Sequence, residues 1–98
     1  MILYHGSNLI VEKPKLIEQN ISISTAESCT GGLIGKLFTD VSGASAVFAG
    51  GIISYTNEVK HKVLGVPVEI LDAYGPVCAP VAQAMAEGAR MVIGADVA

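Results

Sequence analysis

ISISTAESCTGG, residues 21–32, changes its hydrophobic period halfway along, and that change decides the fold class. Ile21, Ile23 and Thr25 alternate with Ser22, Ser24 and Ala26, the two-residue period of a short strand. Beyond the glycines the period lengthens. Leu33, Ile34, Leu37, Phe38 and Val41 recur at helical spacing, while Lys36, Thr39 and Asp40 fall on other faces. Gly43 supplies a stop for that helix, and Ser28 or Thr30 a cap at its start. A strand therefore enters a helix through a turn built of small and hydroxyl residues.

The pattern repeats downstream. Ala46 to Tyr55 is apolar and β-branched around Gly50 and Gly51, which predicts a buried strand with a bend or close backbone approach at the glycines. Asn57 to Leu64 reads as a helix closed by Gly65, and Pro67 opens a short helix that ends before Gly75 and Pro76. Pro80 opens the clearest helix, with Val81, Ala82, Met85, Ala86, Ala89, Val92 and Ile93 on one face opposite Gln83, Glu87 and Arg90. Asp96-Val97-Ala98 then reads as the start of another apolar strand. Strands alternating with helices predict an α/β arrangement whose sheet is covered on both faces. No internal repeat, low-complexity tract or Pro/Gly/Ser linker divides the chain.

Ninety-eight residues, 51% hydrophobic and 15% charged, suit one compact domain with a small core. A net charge of -3 with no basic stripe or aromatic platform argues against nucleic acid as a ligand. Apolar runs such as Ala46 to Ile53 fall far short of the ~20 residues that span a bilayer, and the first residues carry no signal-peptide pattern, so a cytoplasmic protein is expected. Cys29 and Cys78 are then expected to be free thiols. His5 and His61 stand far apart and no Cys-x-x-Cys spacing exists, so no metal site is expected.

Two stretches carry chemistry. In AESCTGG, residues 26–32, small residues and two glycines let backbone amides approach a ligand, and the helix start adds positive potential. That makes an oxyanion or phosphate site, although the same residues serve equally as a plain helix cap. In SYTNEVK, residues 54–60, a strand end enters a helix and brings Tyr55, Asn57 and Lys60 into one neighbourhood. If the two strands pair side by side, Lys60 comes near Ser28, and a desolvated lysine can activate a serine without histidine. The other reading of Lys60 is a solvated helix lysine beside Glu58 and Lys62, with His61 at the surface.

Read together, TAESCTGGLIGKLFTDVSGASAVFAGGIISYTNEVKHKVLGV and GPVCAPVAQAMAEGAR resemble the C-terminal domain of the competence-associated protein CinA and its stand-alone relatives, the nicotinamide-mononucleotide deamidases. The resemblance runs from about residue 21 to residue 98 and implies a three-layer α/β/α domain, incomplete at its C-terminus. It further implies hydrolysis of the carboxamide of nicotinamide mononucleotide to nicotinate mononucleotide and ammonia, with no cofactor. Ser28 matches the nucleophile, Lys60 the base and Tyr55 the residue that organises the pair. Thr30, Gly31 and Gly32 match the turn that faces substrate, with Asn57 also on the substrate side. Cys29 is a rival nucleophile by chemistry alone, and the resemblance favours Ser28. A homo-oligomer is the expected assembly.

Three departures set this chain apart. Cys78 and Ala79 stand where the family usually has serine and glutamate, which removes a capping hydroxyl and a carboxylate from the start of the long helix. The family's later strands, glycine-rich loop and closing helix do not follow, so half the pocket is expected to be missing. Residues 1–20, MILYHGSNLIVEKPKLIEQN, resemble instead the opening of a small ADP-ribosyltransferase-like bacterial domain, with His5, Gly6 and Ser7 matching its entry motif. The expected division is a foreign segment over 1–20 and the first part of the amidohydrolase domain over 21–98. Three roles are then open: an amidohydrolase completed by another chain, a silent remnant, or a binding or oligomerisation module on the same scaffold.

Overall fold

The computed structural model describes residues 20–98, so the ADP-ribosyltransferase-like motif at His5–Ser7 lies outside the described residues. Strand β1 (Ile23–Glu27) leads through the 28–32 turn into helix α1 (Leu33–Thr39). A single 3-10 turn (Ala44–Ala46) precedes strand β2 (Phe48–Ile53). Three helices follow: α2 (Asn57–Lys62), α3 (Val68–Tyr74) and α4 (Ala79–Ile93). β1 and β2 pair in parallel, as two strands joined by a helical crossover must when they run the same way. On the other edge of β1, Val97 forms a parallel bridge to Ile23, with Ser24 N–H donating to Val97 O at 2.9 Å and Val97 N–H donating to Ser22 O at 3.1 Å. The apolar stretch expected as a further strand thus meets β1 at one bridge, and β1 is flanked on both sides at Ile23.

Alternation along β1 sends its side chains to two different cores. Ile23 packs against Phe38 of α1, and Phe48 and Val97 close around them, the two phenylalanine rings stacking at 5.2 Å. On the opposite face Ala26 and Ile52 rest on a larger cluster of Leu64, Val66, Leu71, Val81, Met85 and Ala89. Helices lie on both faces, which is the three-layer α/β/α order. Val81, Met85 and Ala89 stand four residues apart and form the buried stripe of α4. Gly88, on the next row, has no room for a β-carbon because the Leu64 carbonyl sits against it.

Two local expectations are corrected. α1 ends at Thr39 rather than at Gly43, which begins the 3-10 turn instead. The strand over Ala46–Tyr55 shortens to Phe48–Ile53 and alternates half-buried with exposed residues, because β2 pairs on one side only among the described residues. On α4, Val81 and Met85 are buried, while Val92 stands out at 60% exposure. The packing partners are Leu64, Val66 and Leu71, which come from the chain between β2 and α4 and close over the helix locally.

Candidate functional site

Ser28 is the first residue past β1, and Lys60 lies in the second turn of α2. The parallel ladder brings them together. Glu27 pairs with Ile53, and Ser54 N–H extends the ladder by donating to Glu27 O at 2.7 Å, so the two strand ends finish side by side. Thr56 caps α2 by accepting from Val59 N–H at 3.2 Å, which starts the helix close behind β2 and turns Lys60 back toward the ladder. Lys60 Nζ donates to Ser28 Oγ at 3.1 Å and to Tyr55 O at 3.3 Å. Lys60 is only 2% exposed, so the solvated-lysine reading does not hold. No carboxylate reaches it among the described residues; its partners are a hydroxyl and a carbonyl.

The remaining sequence-derived residues take different places. Tyr55 contributes its backbone carbonyl to Lys60, while its side chain is 75% exposed. Asn57 is exposed in the first turn of α2. Thr30 and Gly31 form the exposed outer turn beside Ser28, and Gly32 follows them half-buried with φ 113, a conformation reserved for glycine. Cys29 is exposed and has no hydrogen bond to Lys60, whereas Ser28 has. Among the described residues no three of His, Cys, Asp and Glu come together as metal ligands.

Glu27 is the residue that sequence reasoning missed. It is 4% exposed, and its carboxylate rather than Ser28 closes the start of α1. Oε1 accepts from Ile34 N–H at 2.6 Å and from the Thr30 hydroxyl at 3.2 Å; Oε2 accepts from Gly35 N–H at 3.0 Å and from the Thr25 hydroxyl at 3.2 Å. Thr30 Oγ1 in turn accepts from Gly32 and Leu33 N–H, both at 3.4 Å. Every leading amide of α1 is therefore occupied, so the phosphate-site reading of this helix start gives way to an internally satisfied cap. Three amides of the turn, those of Ser28, Cys29 and Thr30, have no partner among the described residues. The period-two pattern already placed Thr25 on one face with Glu27, and that was the available signal.

A groove of about 570 Å³ opens along the edge of β1 beside Ser28, between α1 and α4. Thr25, Ser28, Ile34, Phe38, Val77 and Met85 are among its lining, and no Lys, Arg or His is. At its rim Cys78 precedes α4 without a side-chain cap, its thiol directed at Gly75 O at 3.7 Å.

Comparison with known proteins bears on both fold and site. The family model of the CinA C-terminal domain matches residues 9–98, starting upstream of the boundary drawn at residue 21. A putative competence-damage inducible protein of Symbiobacterium thermophilum is 57% identical over 83 residues, covering 85% of this chain and 20% of that protein. A CinA-like protein of Leptospira borgpetersenii is 54% identical over 90 residues, 91% of this chain and 22% of its own length. Among solved structures, a CinA superfamily protein of Escherichia coli superposes with a TM-score of 0.86 at 29% identity, covering 98% of this chain and 58% of that one. The competence damage-inducible protein A of Klebsiella pneumoniae gives 0.83 at 30% identity, over 93% and 57%. The chain spans about a fifth of the curated relatives it matches. With the α/β/α layers, the parallel ladder and the family match over residues 9–98 in agreement, the chain belongs to the CinA C-terminal domain family.

Proposed function

We propose that this chain carries the nucleophile-bearing part of an amidohydrolase that converts nicotinamide mononucleotide and water into nicotinate mononucleotide and ammonia. The observation that carries the reading is the buried Lys60 ammonium nitrogen at 3.1 Å from Ser28 Oγ. That is within the reach general-base activation requires. In its amine form Lys60 takes the Ser28 proton as Oγ attacks the carboxamide carbon. The unpartnered amides of Ser28, Cys29 and Thr30 are the turn donors available to the oxyanion. Lys60 then returns the proton to the departing nitrogen, ammonia leaves, and water hydrolyses the acyl ester on Ser28. Tyr55 takes part through its carbonyl, which orients Lys60; Thr30 lines the groove, and Gly31, Gly32 and Asn57 are assigned to the substrate side by the family resemblance alone. No organic cofactor or metal enters this sequence of steps.

The groove lining includes no Lys, Arg or His to pair with a phosphate, and the chain covers 57–58% of the solved family chains it superposes on. The chain by itself is accordingly expected to turn over slowly or not at all. Ammonia release measured on this chain alone, and on a mixture with a polypeptide carrying the remainder of a family domain, tests this. The mixture should be active, and Ser28→Ala and Lys60→Met should each abolish that activity with the fold intact. A Ser28→Ala mixture that still releases ammonia rules the reading out.

Self-association accompanies the proposal. Leu33 and Leu37 on α1 and Ile53 on β2 are each about half exposed, and the Ile53 side chain lies over Gly32 beside the site. Such patches mark interfaces. A cytoplasmic homo-oligomer fits them, and no helix among the described residues is long and apolar enough to cross a membrane. Leu37→Glu should shift the sedimentation profile toward monomer, and an unchanged profile removes this face from consideration.

A further inference from the structure

We propose that Glu27 is a positioning residue that holds Ser28 against Lys60. The inference rests on the Ser28–Lys60 reading above and adds a residue that the chemistry does not itself consume. A carboxylate buried to 4% exposure with no cation within ion-pair distance among the described residues is costly to maintain. Here it is compensated by two backbone amides and two hydroxyls, a donor set that draws on β1, on the 28–32 turn and on α1. At its other end the Glu27 carbonyl accepts from Ser54 N–H at 2.7 Å and Ser54 Oγ at 3.4 Å, and Ser54 is fully buried. One residue thus pins β1 to β2 through its backbone and β1 to α1 through its side chain.

The consequence falls on its neighbour. Successive side chains of an extended chain project to opposite sides. With Glu27 committed to α1, Ser28 is presented to the other side, where Lys60 meets it. The surroundings are shaped for this commitment. A β-carbon at Gly35 would stand 3.1 Å from Glu27 Oε2, and one at Gly51 would run into the Thr25 hydroxyl that donates to the same oxygen. Both glycines leave room for the carboxylate network rather than serving a turn. Thr30 links the network to the turn that follows the nucleophile, so the amides of Cys29 and Thr30 are set by the same anchor.

Glu27→Gln tests the assignment in the 98-residue chain. Two backbone amides donate to the two oxygens separately, and the Gln amide nitrogen cannot accept, so one amide loses its partner with little change of volume. Two readouts separate this proposal from the amidase reading. The first is positional: a structure of Glu27→Gln should show Ser28 Oγ moved out of hydrogen-bond distance of Lys60 Nζ. The second is reactivity toward a fluorophosphonate, in which Ser28 Oγ forms a bond to phosphorus, fluoride leaves and Lys60 takes the proton. Labelling of Ser28, followed by intact mass, should slow about tenfold to a hundredfold at a temperature where circular dichroism shows parent and variant equally folded. Its dependence on pH should keep the parent's shape, because Glu27 changes geometry and leaves the base in place. Retention of the Ser28–Lys60 hydrogen bond in the variant overturns the positioning role. So does labelling within about twofold of the parent, since a misplaced nucleophile loses far more. If the parent itself does not label, the amidase reading fails while the positional readout still decides Glu27. Should Glu27→Gln not fold, Thr25→Val removes one of the four donors and should give a smaller displacement and slowing of the same kind; no change in either overturns the proposal.

Discussion

The two faces of the sheet are covered by different means. On one, α3 and α4 close over six buried side chains, Leu64, Val66, Leu71, Val81, Met85 and Ala89, and the helix stripe is apolar without a break. On the other, α1 contributes Phe38 alone to the buried set, and its start is held by the Glu27 carboxylate and two threonine hydroxyls. The first face is secured by area removed from water, the second by directional bonds to a single buried anion. Apolar packing tolerates small displacements, whereas a network of four donors on one carboxylate fixes positions to a fraction of an ångström. The nucleophile sits at the end of the element that shares in both.

The sharpest way to break this contrast is Gly88→Val. The new side chain meets the Leu64 carbonyl, a backbone group that cannot rotate aside, so α4 must lift away from the larger core. Overpacking typically costs about 1–3 kcal/mol and more where backbone must move, and a loss above about 3 kcal/mol in urea unfolding is expected here. A stable variant would show that α4 is not seated on Leu64. Next in size is a paired truncation. Met85→Ala should cost about 3–4 kcal/mol and Phe38→Ala no more than about 3 kcal/mol, reversing the order of side-chain volume, because Phe38 belongs to the smaller cluster. Equilibrium unfolding that ranks Phe38→Ala as the costlier would equalise the two faces. The smallest effect belongs to the outer surface of α1, where Lys36 and Asp40 pair at 2.8 Å with both side chains more than half exposed. Lys36→Met should change stability by less than about 0.5 kcal/mol.

Much of this arrangement was legible from residue pattern. The change of period at the glycines gave the β1-to-α1 junction, and the prolines and glycines around α3 and α4 set their limits to within a residue or two. Side-by-side pairing of adjacent strands, if assumed, brings Lys60 near Ser28, and the two are in hydrogen-bond contact. What escaped depends on how one element meets the next. Lys60 between Glu58 and Lys62 has the local composition of a solvated helix surface, and its burial follows from the neighbouring strand end, which no local window contains. Glu27 looked like an ordinary polar residue at a strand end because its four partners lie two, three, seven and eight residues away, on both sides of the turn. β2 read as buried because its residues are apolar and β-branched, while its exposure depends on what lies beside and above it.

The contact between Ser22 and Asp96 has a kinetic meaning. Ser22 N–H and Oγ donate to Asp96 Oδ2 at 2.8 and 3.1 Å, and Asp96 N–H returns a bond to Ser22 Oγ at 3.0 Å, across 74 residues of chain. Ser54 and Glu27, which join the two strands, are separated by 27 residues. Loop closure grows slowly with length, about 0.6 kcal/mol per doubling, so the longer closure is disfavoured by only about 0.9 kcal/mol more. Timing separates them more than entropy does. As the chain emerges from the ribosome, β1 can dock on β2 long before residues 96 and 97 exist to take its second edge, and during that interval the strand that leads into Ser28 stands half-paired. Synthesis order therefore leaves the second edge of β1 open to mispairing, and the Ser22–Asp96 clasp closes that edge as far as Ser24.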